Sequence, residues 1–253
     1  MLQKISEAIR LFKTHWLLLS AIVLTVWLPG SIILAYFRFL IFADSDPFQA
    51  MVQETRISNL IETAFGPIYV GAMMQVLAGA KQGRLVSYAE AMRCGAQTCF
   101  KMFTTRLVSG LIVLGGLILL IVPGILLAVR YALIDPVVAL EGRSGKGARQ
   151  RSVALTQGRR WQLLGASVVS FLLVMLVSVV ASLVIYFPVG LMGQQDNFFA
   201  AVLYNCIASI LFSFLFVVVF LFYWEGRSQH SHPLQADTLQ ADTLQADNRL
   251  QSP

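Results

Sequence analysis

Long apolar stretches separated by short polar segments dominate the sequence. About 20 predominantly apolar residues suffice to cross a hydrocarbon core near 30 Å as a helix, so each stretch predicts a membrane-embedded helix. The sequence therefore predicts an all-α polytopic membrane protein, a bundle of about six transmembrane helices over residues 16–224. We expect these helices at Trp16–Phe42, Ile57–Ala80, Arg106–Val122, a fourth segment that ends at Leu140, Trp161–Leu191 and Asn197–Trp224.

Two Pro-Gly pairs interrupt these stretches. Pro29-Gly30 predicts a kink in the first span, and Pro123-Gly124 divides the stretch from Arg106 to Leu140. As one helix that stretch would be about 52 Å long, which exceeds the hydrocarbon core. We therefore predict two antiparallel halves with a turn at residues 123–124. A re-entrant hairpin with both ends on one side is the alternative.

The two ends of the chain differ from this central region. Residues 1–15 place Leu2, Ile5, Ile9 and Phe12 at helical spacing opposite charged positions, which predicts an amphipathic helix lying in the membrane interface. Residues 225–253 contain three consecutive copies of LQADT or LQADN. This polar, acidic repeat has no apolar face, so we predict a disordered tail.

Composition and charge agree with a membrane protein and suggest its orientation. The chain is 57% hydrophobic and 13% charged, with a net charge of +6, whereas soluble proteins carry about 25% charged residues. Lysine and arginine are concentrated in the N-terminal segment, in residues 81–106 and in a basic segment at 143–160. The positive-inside rule then predicts that both termini lie in the cytoplasm. The dispersal of the bases over several loops argues against nucleic acid as a partner.

The segment 120–165 carries a dense local pattern of proline, glycine, arginine and acidic residues. It resembles the membrane-domain family of glycerophosphoryl diester phosphodiesterases in its stand-alone form. The resemblance implies a bacterial inner-membrane protein, and because the chain lacks a soluble phosphodiesterase domain, we expect it not to be an enzyme. Asp135 departs from the small or apolar residue expected before the proline of this pattern. The matching positions are Pro123, Gly124, Arg130, Glu141, Gly142, Arg151, Ser152, Gly158 and Trp161.

Several charged residues fall inside the predicted spans, and three of them are candidates for a polar site. Glu62 lies about one turn inside the second span, and Arg130 and Asp135 lie in the fourth. Intramembrane charges usually face a partner or a wet cavity. We therefore consider these residues a candidate polar site in which Glu62 and Arg130 pair. The alternatives are a structural ion pair and side chains that extend to the interface.

Two further patterns leave two interpretations each. The basic segment contains a short amphipathic helix with four arginines, Arg149, Arg151, Arg159 and Arg160. Either these arginines contact anionic headgroups, or they act only as a topology determinant. In the sixth span, small and polar residues recur every fourth position, which favours close helix packing or a face that lines a solute path. This stripe is Asn197, Ala201, Asn205, Ser209 and Ser213.

No catalytic, cofactor or metal motif is recognisable in the sequence, so we predict neither cofactor nor metal. The leading hypothesis is a non-enzymatic membrane protein with a role in lipid or envelope homeostasis, which binds membrane lipids or a protein partner. The alternatives are a small transporter or lipid flippase, and a membrane accessory subunit of a separately encoded enzyme.

Overall fold

The computed structural model describes residues 2–42, 46–192 and 197–250, and beyond Gln229 it describes the backbone alone. A π-helical turn, Phe37–Ile41, extends the second helix. The α-helices of these ranges are α1 (Leu2–Thr14), α2 (Trp16–Tyr36), α3 (Pro47–Lys81), α4 (Tyr88–Leu119), α5 (Ile121–Tyr131), α6 (Ile134–Glu141), α7 (Gly145–Thr156), α8 (Arg160–Leu191) and α9 (Phe198–Leu250).

Six helical stretches in the described ranges are long and apolar enough to cross a membrane. The predicted all-α fold with about six transmembrane helices is therefore confirmed. The stretches are Trp16–Ile41, Phe48–Lys81, Tyr88–Leu119, Ile121–Glu141, Arg160–Leu191 and Phe198–Gln229.

Helix α4 begins at Tyr88, well before the start predicted at Arg106. Ser87 caps it, because its hydroxyl accepts a hydrogen bond from a backbone N–H of the first turn at 3.3 Å. Met102 is fully buried, whereas Lys101 is exposed. The basic stretch that we predicted as a loop is thus an amphipathic helical extension, because its apolar residues pack inward while its bases face outward.

Helices α3 and α4 form an antiparallel pair that depends on glycine. A Cβ atom at Gly95 would lie 2.2 Å from the carbonyl oxygen of Ile68, and a Cβ atom at Gly71 would lie 3.1 Å from the Cα of Gly95. Only glycine allows two helix backbones to approach so closely, and small residues serve this purpose at helix interfaces in membranes.

The turn between the third and fourth spans lies at Leu120, not at Pro123-Gly124 as predicted. Leu120 has extended backbone angles of φ −160° and ψ 139°. Pro123 instead lies in the first turn of α5, where the missing N–H of a proline leaves no intrahelical bond unmade. Gly124 permits the close crossing of the hairpin, since a Cβ atom there would lie 2.7 Å from the Cα of Leu117.

The buried core surrounds the C-terminal half of α3. Gly71 to Ala78 in this half line the core almost without interruption, and the same core includes buried residues of α6 and of the middle of α9. The fully buried large side chains of the core include Leu19, Ile22, Met73, Met74, Leu77, Met102, Leu133, Val137, Phe220 and Tyr223. By contrast, the distal hairpin of α4 and α5 and most of α8 expose apolar side chains, as lipid-facing helices do.

Helix α1 packs on the bundle through its apolar face, with Ile5 and Ala8 buried. Two ion pairs hold it, Lys4 with Glu225 of α9 and Lys81 of α3 with Glu7. The position of α1 in the membrane interface stays a prediction.

The start of the predicted tail is anchored to the bundle. Glu225 also pairs with Arg159, and a Cβ atom at Gly226 would lie 3.3 Å from the carbonyl oxygen of Leu155. The backbone of α9 continues as a helix to Leu250. Disorder over residues 225–253 stays a prediction, and residues 251–253 lie outside the described ranges.

Candidate functional site

Arg106 of α4 and Asp135 of α6 form a two-point salt bridge. The Nε and Nη2 atoms of Arg106 donate to the two carboxylate oxygens of Asp135, both at 2.7 Å. Two parallel bonds of this kind orient both side chains as well as neutralising the pair. The bridge fastens α6 to α4 inside the bundle.

Glu62 of α3 lies beside this bridge. Its carboxylate accepts hydrogen bonds from the Tyr69 hydroxyl at 2.9 and 3.0 Å, and it lies 4.0 Å from the Nη1 atom of Arg106. A Cβ atom at Gly66 would lie 2.7 Å from Glu62 Oε1, so this glycine leaves the space that the carboxylate occupies. The cluster of Glu62, Arg106 and Asp135, which we call the charged cluster, holds two carboxylates and one guanidinium.

The structure brings together two of the three residues predicted for the polar site, but Arg130 is not their partner. The backbone carbonyl of Arg130 accepts a hydrogen bond from the Ser152 hydroxyl at 2.7 Å. The Nε atom of Arg130 is buried, and none of the described residues accepts a hydrogen bond from it. Predicting Arg130 as the partner of Glu62 was wrong, because the hairpin turn at Leu120 brings Arg106 opposite Asp135 instead.

A polar groove between α3 and α9 begins at an ion pair of Arg38 and Glu54, whose closest nitrogen–oxygen distance is 3.4 Å. The cavity at this end, which we call the mouth, measures about 590 Å³. Its lining consists of Leu34, Ala35, Arg38, Glu54, Thr55, Ser58, Asn59, Tyr186, Ala201, Tyr204 and Asn205.

The groove continues into a second cavity of about 520 Å³, the floor, which reaches Glu62 and Tyr69. Mouth and floor share four lining residues, Leu34, Ser58, Asn59 and Asn205. From Glu54 to Tyr69 the groove follows α3 for about 22 Å. The remaining lining of the floor is Trp27, Ala208, Ser209, Phe212, Leu215 and Phe216.

Glu62 also borders a third cavity on the other side of α3. This lateral cleft, about 330 Å³ in volume, lies between α3 and α4 and includes Arg106. Leu107 and Leu111 form its outer edge and are more than half exposed. The charged cluster therefore lies between the groove and a cleft that faces the lipid-exposed hairpin.

The small and polar stripe of the sixth span was the signal for the groove in the sequence, although it equally fitted close helix packing. In the stripe of α9, Ala201, Asn205 and Ser209 line the groove, whereas Ser213 is buried in packing. The stripe therefore contributes both to the lining of the groove and to helix packing. On α3, Ser58, Glu62 and Tyr69 recur at helical spacing, a pattern that our sequence analysis missed because tyrosine and serine are common in helix packing.

The positions that carry the resemblance over residues 120–165 have mainly structural contacts. The carboxylate of Glu141 accepts hydrogen bonds from Arg151 Nε and from the Tyr223 hydroxyl, each at 3.2 Å. These contacts join α6, α7 and α9. Gly142 and Gly158 end helices with positive φ angles of 67° and 77°.

The four arginines predicted to contact headgroups have different surroundings. Arg151 and Arg159 are engaged by Glu141 and Glu225. The Nε atom of Arg160 is buried, and no described residue accepts a hydrogen bond from it. Only Arg149 of the four lines a cavity of about 410 Å³, which we call the basic pocket. Its lining is Tyr131, Lys146, Arg149, Gln150 and Val153.

Comparison with known proteins supports a membrane protein without indicating a role. Residues 46–225 match the family model described as a domain of unknown function, DUF7847. A UPF0259 membrane protein of Photorhabdus laumondii subsp. laumondii is 25% identical over 173 residues, which is 66% of this chain and 64% of that relative. The matched region thus spans just under two thirds of the relative's length.

No solved structure matches the chain. Neither the family model nor the bacterial relative shows a link to phosphodiesterases, so the resemblance over residues 120–165 stays a prediction. The family model covers residues 46–225, which is most of the length of this chain. This multi-pass membrane protein therefore belongs to the family described as a domain of unknown function, DUF7847.

Proposed function

We propose that this chain is a non-enzymatic protein of the bacterial inner membrane, with both termini in the cytoplasm, that binds a membrane amphiphile in the groove between α3 and α9. The observation that carries the proposal is the groove itself, which runs from a mouth with the Arg38–Glu54 ion pair to an aromatic floor beside Glu62. Lipids are the expected partners, and nucleic acid is not.

The lining of the groove combines charged, polar and aromatic side chains, as the site of an amphiphile requires. Arg38 and Glu54 lie at the mouth, the side chains of Asn59 and Asn205 lie in the middle, and Phe212 belongs to the floor. Ligand sites are mostly apolar with a few placed polar groups that fix orientation. A single-chain or double-chain lipid presents this combination of polar and apolar groups.

Access from the bilayer supports a lipid more than a water-soluble solute. Helices α3 and α9 touch only sparsely, so the groove separates them over much of their length. The lateral cleft shares Glu62 with the floor, and its outer edge is apolar. A lipid tail is compatible with such an opening, whereas a small polar solute gains nothing from it.

Native mass spectrometry of the protein released from membranes tests the proposal. We expect a lipid to remain bound to the unaltered chain, and we expect Ala208→Trp to displace it, because the indole fills the floor of the groove. The matched control is Val184→Trp on α8, where the side chain is 68% exposed and points away from the bundle.

Retention of the same lipid by both tryptophan variants would contradict the groove as its site. A protein that remains bound in place of a lipid would instead favour an accessory subunit of a separately encoded enzyme. Finding no bound lipid in any variant would contradict lipid binding altogether.

A transporter or lipid flippase is the second candidate, favoured by the position of Glu62 between the groove and the lateral cleft. Movement of a headgroup past this residue would connect the two cavities. Transfer of a fluorescent lipid between leaflets of proteoliposomes, abolished by Ala208→Trp and unaffected by Val184→Trp, would distinguish movement from binding.

A role in lipid or envelope homeostasis rests on the resemblance of residues 120–165 to the membrane domain of glycerophosphoryl diester phosphodiesterases. The basic pocket of Lys146 and Arg149 adds a second expected contact, with anionic headgroups at the cytoplasmic surface.

A further inference from the structure

We infer that the ligand of the groove carries a positively charged group, of the ammonium class, and that this group binds at Glu62. The inference rests on the proposed function, because it assigns the chemistry of a ligand to the same groove. It follows from the charges of the cluster, from the aromatic walls of the floor and from the neutral mouth.

The charges of the cluster do not balance. Asp135 uses both carboxylate oxygens to bind Arg106 at 2.7 Å, so that guanidinium is engaged by one acid. Glu62 lies at 4.0 Å from the remaining nitrogen and receives its hydrogen bonds from the uncharged hydroxyl of Tyr69. Two carboxylates therefore share one cation, and Glu62 is the less compensated of the two.

An uncompensated carboxylate is costly inside a membrane, where water does not screen it. Glu62 borders both the floor and the lateral cleft, so a ligand that enters from either side meets this carboxylate. A cationic group placed there would balance the cluster to zero net charge. An anionic group placed there would instead make the net charge of the cluster about minus two, so the like charges would repel each other.

The walls of the floor favour the same sign of charge. Trp27, Tyr69, Phe212 and Phe216 all line it. The rings of Tyr69 and Phe216 meet edge to face, with their centroids 6.1 Å apart. Aromatic faces attract ammonium groups through their quadrupole, and quaternary ammonium ligands are recognised in this manner.

The rest of the groove does not oppose a cation. At the mouth, Arg38 and Glu54 form an ion pair, which contributes no net charge. Apart from Arg38, Glu54 and Glu62, the described residues that line mouth and floor are uncharged. The polar ones include Thr55, Ser58, Asn59, Tyr69, Tyr186, Tyr204, Asn205 and Ser209. Glu62 therefore sets the sign of the potential in the floor.

The test compares three amphiphiles that share a 12-carbon chain and differ in headgroup charge. Dodecyltrimethylammonium, dodecanol and dodecanoate are offered to the full chain in dodecyl maltoside, and native mass spectrometry measures the retained fraction of each. We expect the cation to be retained about tenfold better than the alcohol. We also expect dodecanoate to be the poorest of the three, because its carboxylate is repelled by Glu62.

Three variants locate the effect. Glu62→Gln should abolish the preference for the cation, and Glu62→Asp, which keeps the charge, should preserve it. Glu90→Gln removes a carboxylate that pairs with Arg84 outside the groove and should leave the preference unchanged. Thermal unfolding of each variant identifies any that fails to fold, and the Asp variant then carries the comparison.

The outcomes separate the inference from the proposed function. Equal retention of all three probes, with displacement by Ala208→Trp, would overturn the cationic preference and leave the groove as a binding site. A preference for the cation that persists in Glu62→Gln would overturn the assignment to Glu62. Retention of no probe by the unaltered chain would overturn both the inference and amphiphile binding.

Discussion

Arg106 and Asp135 lie at nearly equal distances along the chain from the hairpin turn at Leu120, and their side chains form two parallel hydrogen bonds of 2.7 Å. The position of the turn determines this pairing. With a turn at Pro123-Gly124, the residue opposite Arg106 would be Glu141 or a close neighbour. The charged cluster therefore depends on a helix break three residues earlier than the Pro-Gly pair suggests.

The first prediction concerns the energetic coupling of Arg106 and Asp135. Arg106→Leu should destabilise the fold by about 3–5 kcal/mol, because it leaves the carboxylates of Asp135 and Glu62 without a cation inside the bundle. Asp135→Leu should cost less, because Glu62 remains beside Arg106. The double replacement should be less destabilising than the sum of the two single losses, because it removes both members of the bridge together. Thermal unfolding of the four proteins in detergent measures the coupling as a double-mutant cycle.

Glu62 and Arg130 provide the control cycle for this prediction. Since the two residues are not paired in the structure, the effects of Glu62→Gln and Arg130→Leu should add. Additive losses at Arg106 and Asp135, or strong coupling between Glu62 and Arg130, would contradict the arrangement of the charged cluster.

The sequence predicted the number of spans and two residues of the cluster because both are local properties. An apolar run of sufficient length identifies a span, and a charge within it marks an unusual position. The partner of Asp135 is a non-local property, because it depends on the exact residue at which the hairpin reverses. Pro123 did not mark the turn, because a proline is tolerated in the first turn of a helix as well as just after the end of one.

The groove was harder to predict for a related reason. Asn205 and Ser209 were recognised as a polar stripe, but a stripe fits against another helix as well as it lines a cavity. The deciding fact is the sparse contact between α3 and α9, which no periodicity in either helix encodes. The amphipathic extension of α4 was missed because its bases resemble those of a cytoplasmic loop.

The second prediction concerns the hairpin tip. Leu119 lies about 20 Å along α4 from Arg106, and Asp46 lies about 24 Å along α3 from Glu62. The tip of the α4–α5 hairpin and the outer end of α3 therefore lie at a similar distance from the charged cluster. This similarity favours two full spans over a re-entrant hairpin. In a chain with its three cysteines replaced by serine, Leu120→Cys should react with an impermeant maleimide from outside the cell.

Leu111→Cys is the matched control, because its side chain lies on the same hairpin, farther from the tip and facing the lipid. It should not react from either side. Protection of Leu120→Cys from the external reagent, at a level equal to that of the control, would favour the re-entrant alternative.

The third prediction concerns glycine in the α3–α4 pair. Gly95→Ala should destabilise the protein by several kcal/mol, because the new Cβ atom would lie 2.2 Å from the Ile68 carbonyl and force two backbones apart. Gly115→Ala is the control on the same helix, where an added Cβ atom meets nothing within 4 Å. Removing that glycine should stabilise the helix by up to about 1 kcal/mol.

Unfolding midpoints of the two alanine variants, measured in the same detergent, provide the comparison. Equal midpoints would show that the close approach of α3 and α4 does not exist as described. A lower midpoint for Gly115→Ala than for Gly95→Ala would contradict the packing of the pair even more directly.

The fourth prediction concerns the basic pocket between α5 and α7. Lys146 and Arg149 both line this pocket, and among the described residues neither forms an ion pair, in contrast to Arg151 and Arg159. Each base near an anionic surface contributes about 1 kcal/mol. Replacing both by glutamine should therefore weaken retention of phosphatidylglycerol relative to phosphatidylcholine by roughly thirtyfold if the two effects add.

A double variant of Arg93 and Lys101 to glutamine removes the same charge from exposed positions of α4 and is the control. Its lipid preference should be nearly unchanged, because the pocket keeps both of its bases. Equal losses in the two double variants would mean that total charge, not the pocket, determines the preference. Since the groove is predicted to prefer a cation at Glu62, an anionic lipid that is lost only with Lys146 and Arg149 would also show that the two sites bind different headgroups.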